Sequence, residues 1–165
     1  MKFTISATEW NAKLIALAKV MNSKAALPIY SMFLLELKDG VLRITASDMD
    51  CSRCSTLPVI DMDGANGHSE SICVTASFLL DSLKNLGDQP VTFEADEENL
   101  SVVIRYNNGQ FDMVGFPAKD YVLPGTMEKN VKATIEASVL NDSIGKSLYA
   151  VGNDDLRPIF CGIYF

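Results

Sequence analysis

Residues 131–165 repeat residues 1–35 at a constant offset of 130 and without a gap. Seven pairs are identical: Lys2/Lys132, Thr4/Thr134, Ile5/Ile135, Ala7/Ala137, Asn11/Asn141, Pro28/Pro158 and Ile29/Ile159. Others exchange like for like, such as Thr8/Ser138, Trp10/Leu140, Leu14/Ile144, Met21/Val151 and Tyr30/Phe160. Solenoid repeats run about 20–50 residues, so a period of 130 corresponds to a whole domain. The chain therefore reads as one domain over residues 1–128. A linker and the opening strand, helix and strand of a second domain follow over residues 129–165.

The same order of elements recurs inside the first domain. Phe3 and Ile5 alternate with polar neighbours in a strand over Lys2–Ser6. Ser6 and Glu9 have capping-box spacing, and Trp10, Leu14, Leu17 and Met21 make one apolar helical stripe. The opposite face holds Ala12, Ala16 and Lys19, with Lys13 on its flank. Strands are expected at Met32–Leu37, Val41–Ala46 and Cys51–Leu57, the first two joined by an Asp39-Gly40 turn. Ile72–Thr75 then starts a second round. Leu79, Leu80, Leu83 and Leu86 stripe its helix, which Gly87 closes, and strands follow at Val91–Ala95, Leu100–Tyr106 and Gln110–Val114. Turns are expected at Asp96–Asn99 and Asn108-Gly109. Two β-α-β-β-β halves imply an α+β fold, with two helices on one side of two antiparallel sheets. Phe116–Asn130, holding Pro117, Pro124 and Gly125, reads as the segment between domains.

At 48% apolar and 21% charged the chain can bury a core and is not disordered. No run approaches the roughly 18 apolar residues of a membrane span. The N-terminus lacks a basic-then-apolar leader pattern, so a cytosolic protein is expected, and its four cysteines are expected reduced. The net charge of −7 is uneven. Residues 1–30 carry Lys2, Lys13, Lys19 and Lys24 against Glu9 alone, whereas residues 61–100 carry nine acids against Lys84. Such polarity can hold a polyanion near one surface and repel it from the others.

Convergent reactive groups are scarce. His68 lies in a Gly/Asn loop without an adjacent base. Cys51-Ser52-Arg53-Cys54 falls in a strand-like run rather than at a helix start, so its first thiol lacks the usual activation. On a strand, Cys51 and Arg53 share one face, and Ser52 and Cys54 the other. Asp48/Asp50, Asp61/Asp63 and Asp96–Glu98 show no calcium-loop spacing and are read as turn formers. No enzyme activity, metal or cofactor is expected.

Met1-Lys2-Phe3-Thr4, then a helix, then Leu27-Pro28-Ile29 resembles the opening of the bacterial sliding clamp family, the β subunit of DNA polymerase III. So do Thr45-Ala46-Ser47-Asp48-Met49-Asp50, Phe116-Pro117-Ala118-Lys119-Asp120-Tyr121, and Arg157-Pro158-Ile159-Phe160-Cys161-Gly162-Ile163 at the start of a second domain. The resemblance spans the whole chain. It implies a non-catalytic processivity factor of the replicative polymerase: three-domain chains joined head to tail as a homodimeric ring around double-stranded DNA. Helices would line the hole, and sheets would form the rim. It further implies Lys24, in the loop after the first helix, as the leading DNA contact, with Lys19 on the open helix face and Lys13 on its flank as further candidates. Ser77 stands where some members carry a basic residue, and Asp154 occupies the place of Lys24 in the second copy. Phe111 and Met113 on the last strand, with Phe78 from the second helix, are the implied subunit interface. The polymerase and clamp loader would bind through domains beyond this chain, which is then expected to be a partial product.

Two other readings compete. One is a stand-alone α+β binding or dimerisation module that uses the Gln110–Val114 edge and has no DNA role. The other is a small thiol enzyme built on Cys51 and Cys54. Phe111 and Met113 also fit as ordinary inward core residues.

Overall fold

The computed structural model describes residues 1–21, 27–48, 51–62, 69–123, 125, 133–154 and 156–165. Lys24, Asp50, Asp63 and His68 lie outside the described residues. The chain divides into two compact units, Met1–Gly125 and Thr126–Phe165.

In the first unit, β1 (Lys2–Ser6) leads into α1 (Ala7–Ala18), whose Ser6 side chain accepts the Glu9 N–H at 3.4 Å. Strands β2 (Met32–Lys38), β3 (Val41–Ser47), β4 (Ser52–Pro58) and the short β5 (Asp61–Met62) complete the first half. The second half repeats this order. It runs β6 (Glu70–Thr75), α2 (Ala76–Leu83), β7 (Pro90–Ala95), β8 (Ser101–Tyr106), β9 (Gly109–Val114) and the short β10 (Phe116–Pro117). Each half thus carries one strand more than its hydrophobic pattern indicates. β5 and β10 are only two residues long, below the length at which alternation is visible.

Both sheets are five-stranded, and each takes its first two strands from the other half. One sheet runs β5-β1-β7-β8-β9 and the other β10-β6-β2-β3-β4, with every described pairing antiparallel. The registers match across the two halves. Phe3 faces Phe93 and Ser6 faces Pro90 in one sheet; Ile72 faces Leu35 and Thr75 faces Met32 in the other. The short strands follow suit, with Phe3 opposite Met62 and Ile72 opposite Pro117. The halves are therefore interlocked by exchange of their first strands, in a pseudo-two-fold arrangement.

A single core fills the space between sheets and helices. Phe3 stacks on Phe93 at 5.0 Å, and Trp10 meets both rings edge-on at 5.7 and 5.8 Å. Leu14, Leu17, Phe33, Leu35, Leu42, Ile44, Leu79 and Ile104 extend it. The α1 stripe is buried as its spacing predicts, except that Met21 is only half-covered. On α2 the buried face is Ala76, Leu79, Ser82 and Leu83, while Leu80 and Leu86 are half-exposed. The helix is rotated toward its N-terminal Ala76, because packing against β6 and α1 overrides the leucine count. A smaller cluster of Met32, Leu34, Cys73 and Tyr121 covers the outer face of the second sheet.

Turn chemistry is as expected at Asp39-Gly40, where both residues take positive φ (49° and 76°). It differs at the last hairpin. The turn residues are Asn107 and Asn108, and Gly109 is already in β9 opposite Tyr106. A Cβ on Gly109 would meet the Tyr106 Oη at 2.8 Å, so the tyrosine ring lies over the bare glycine. Asp96 closes the β7–β8 hairpin by accepting the Glu98 N–H at 2.8 Å, and Asp48 accepts the Cys51 N–H at 2.8 Å. These two acids are turn formers.

The second unit contains α3 (Ala137–Ser147), a counterpart of α1, and a 3-10 turn at Pro158–Phe160, matching the one at Pro28–Ser31. The expected strands do not form: Ala133–Glu136 and Cys161–Phe165 are irregular, and no described residue of this unit is buried. No described residue of this unit takes part in a strand pairing, whereas Ile5, the counterpart of Ile135 in the first unit, is held by Val91 of the second half, a partner far away in sequence. Among the described residues, no helix is long and apolar enough to cross a membrane.

Candidate nucleic-acid interface

The outward sides of α1 and α2 form one candidate surface. Lys13 and Lys19 are exposed on α1 and its C-cap, and Ser77 is exposed in the first turn of α2. Lys84, the cation among the acids of residues 61–100, is exposed at the α2 C-cap. Against these cations stand Glu9 and Asp81, both exposed. Neither Lys13 nor Lys19 enters an ion pair among the described residues, so both charges face solvent. Lys24 follows this surface in sequence but lies outside the described residues.

Arg53, in the middle of the Cys-x-x-Cys segment, joins this side. Cross-strand pairing with Ala46 puts it on the core-facing side of β4, and there its Nη1 donates to the Ala16 carbonyl of α1 at 3.0 Å. Alternation along β4 was the available signal. It gave the face but not the helix that waits there. The same contact half-covers Ala16, which the helical wheel alone leaves open.

The sheet side behaves differently. Lys2 lies 3.1 Å from one Glu94 oxygen, and Arg105 bonds the other. Those two bonds, Arg105 first, hold the Glu94 carboxyl below the usual glutamate range. Arg43 pairs with Glu36 at 3.6 Å. Lys2, Arg43 and Arg105 are thus neutralised within the sheets, whereas Lys38 at the end of β2 is exposed and enters no ion pair among the described residues. Asp96, Glu97 and Glu98 project from the β7–β8 hairpin, with one Glu97 oxygen accepting the Ser71 N–H at 2.6 Å.

Two long strands, β4 and β9, are open edges, related by the pseudo-two-fold. Phe111 and Met113 sit on β9 opposite Ile104 and Val102. Both turn toward the core and are half-covered, with Phe111 stacked on Tyr106 at 5.0 Å. Val114 beside them is exposed, and Phe78 is 40% exposed on α2.

The cysteines form no disulfide. Cys51, Cys54 and Cys161 are exposed, and Cys73 is buried. Burial, with Asp120 and Glu36 nearby, pushes the Cys73 thiol up to about 12, away from nucleophilic chemistry. Among the described residues, no group of three or more His, Cys, Asp or Glu side chains could hold a metal ion.

A strand-exchanged pair of α+β halves, helices outward on one side and sheet edges open at both ends, defines a clamp-type domain. The chain belongs to the family described as "DNA polymerase III beta subunit, N-terminal domain", whose family model matches residues 1–124. The beta sliding clamp of Bacillus subtilis is 26% identical over 166 residues, covering 99% of this chain and 44% of that protein. That of Staphylococcus aureus is 24% identical over the same span. A sliding clamp structure from Pseudomonas aeruginosa, bound to griselimycin, superposes with a TM-score of 0.85 at 23% identity, covering 95% of this chain and 41% of that one. The chain spans less than half the length of the curated relatives it matches.

Proposed function

We propose that this chain is the N-terminal arc of a ring-shaped processivity clamp that encircles double-stranded DNA and slides on it without sequence specificity. The observation that carries this reading is the segregation of charge in the family fold. Among the described residues Lys13, Lys19 and Lys84 on the helix side have no ion pair, whereas Lys2, Arg43 and Arg105 on the sheets are matched to carboxylates and Lys38, at the end of β2, is the exception. A ring that holds duplex by enclosure needs a weakly basic lining, because each firm phosphate contact deepens the energy wells along the backbone and steepens the salt dependence of binding. Lys13, Lys19 and Lys24 are the contacts in this reading. Ser77 marks a point where the lining carries no charge.

The β9 edge, with Phe111, Met113 and Phe78, docks a second subunit to make a homodimer. An open edge strand with half-covered apolar side chains is a ready template for another chain. The role is non-catalytic, in the bacterial cytoplasm, and the replicative polymerase and clamp loader engage domains outside this chain. Retention on DNA tests the reading. The protein carrying this arc, loaded on nicked circular DNA, stays bound through gel filtration and is lost once the circle is linearised. Equal retention on both forms would sink it.

A further inference from the structure

All four arginines lie among the described residues, and three are matched to carboxylates: Arg43 to Glu36, Arg105 to Glu94 and Arg157 to Asp154. Arg53 is different. Its hydrogen-bond partner is a neutral main-chain carbonyl, that of Ala16 in the last turns of α1. A guanidinium has five N–H donors in a rigid fork, and this bond occupies one. The bond also anchors a long side chain in advance, so less rotamer freedom is lost when a further acceptor arrives. No carboxylate among the described residues pairs with Arg53, and the residue is exposed. Lys19 lies three residues beyond Ala16, about one turn farther along the same helix. The start of β4 thus holds a pre-positioned positive charge against the last turns of α1, the helix that Lys19 caps, in a protein of net charge −7.

We propose that Arg53 is a DNA phosphate contact, set by its bond to Ala16 so that its remaining donors face the duplex backbone next to Lys19. This rests on the helix side being the DNA-facing side. The competing role is purely structural: a cation on the negative end of the α1 dipole. The two roles separate by chemistry. Arg53→Gln keeps an amide N–H that can reach the Ala16 carbonyl but loses the charge, and Arg53→Lys keeps the charge.

The test titrates this chain with a short DNA duplex at several salt concentrations. The four arginine Nε–Hε signals and the backbone amides are followed by NMR. Arg43, Arg105 and Arg157 serve as internal controls on other surfaces. The expected result is that the Arg53 signal moves and saturates together with the amides of Lys13 and Lys19. Arg53→Gln then lowers the log–log salt slope by about 0.9 and weakens binding roughly two- to fivefold at low salt, with the fold unchanged. Arg53→Lys restores both. If the helix-side amides respond and Arg53→Gln binds like the parent protein, Arg53 is only a helix cap: the inference falls and the DNA-facing side stands. If duplex instead moves the Arg43, Arg105 or Arg157 signals while the helix-side amides stay still, DNA meets another surface and both fall together.

Discussion

The exchanged first strands make a sharp claim about cooperativity. Ile5 belongs to the first half of the sequence but is seated in the sheet of the second half, opposite Val91. Val74 belongs to the second half and is seated in the sheet of the first, opposite Phe33. Both are fully buried. Ile5→Val removes one methylene from a packed site and costs about 1 kcal/mol. Val74→Ala removes two and costs about 2 kcal/mol. Because each strand bridges the halves, either loss should fall on the whole of Met1–Gly125 rather than on one sheet. One kcal/mol corresponds to about 4 °C in the melting midpoint for a unit of this size. Native-state hydrogen exchange gives the stricter test. Ile5→Val should accelerate exchange about fivefold at Val102 and Ile104 in one sheet and equally at Leu42 and Ile44 in the other. Val74→Ala should do the same, about thirtyfold. If either variant loosens one sheet and leaves the other at parental protection, the halves fold as independent units and the interlocking argument is wrong.

Three further outcomes follow from the structure. The Glu94 carboxyl is held low by Arg105 and Lys2, so its contribution is complete above the ordinary glutamate value of 4.5 and is lost as pH falls through its lower folded value. Urea midpoints between pH 3 and pH 6 should therefore be flatter for Glu94→Gln than for the parent, and parallel profiles would contradict the network. A thiol reagent at neutral pH should label Cys51, Cys54 and Cys161 quickly and Cys73 only on unfolding; rapid reaction of Cys73 would show that its cover opens. Gly115 joins β9 to β10, and a Cβ there would lie 2.6 Å from the buried Ile72 Cδ1 and 3.2 Å from the Cys73 carbonyl. Gly115→Ala should cost about 1–3 kcal/mol by overpacking, and an unchanged thermal midpoint would show slack at that crossing.

Much of this architecture is legible in the residues. Trp10, Leu14 and Leu17 mark one helix and its buried face, the Asp39-Gly40 turn sets one hairpin, and alternation marks the long strands. These features depend on neighbours a few residues away, within reach of a local pattern. The last hairpin shows where such patterns stop. Asn108-Gly109 has the composition of a turn, yet Tyr106 covers Gly109 and moves the turn back one residue. The open face of α1 is similar: spacing exposes Ala16, and Arg53 from a strand 37 residues away covers it.

By itself the sequence determined the doubled half-units, the repeat at 130, the polarity of charge and, through its motifs, the family. Those are properties of order along the chain, and order survives without coordinates. Only the tertiary structure decided which sheet each first strand joins, that β5 and β10 extend the sheets, and that the strands expected after residue 131 do not form. It also decided that Arg53 bonds the Ala16 carbonyl of α1, while the other three arginines pair with carboxylates. Each of these depends on pairing between segments far apart in sequence, whose free energy comes from the ladder and the core together and so leaves no mark on either segment alone.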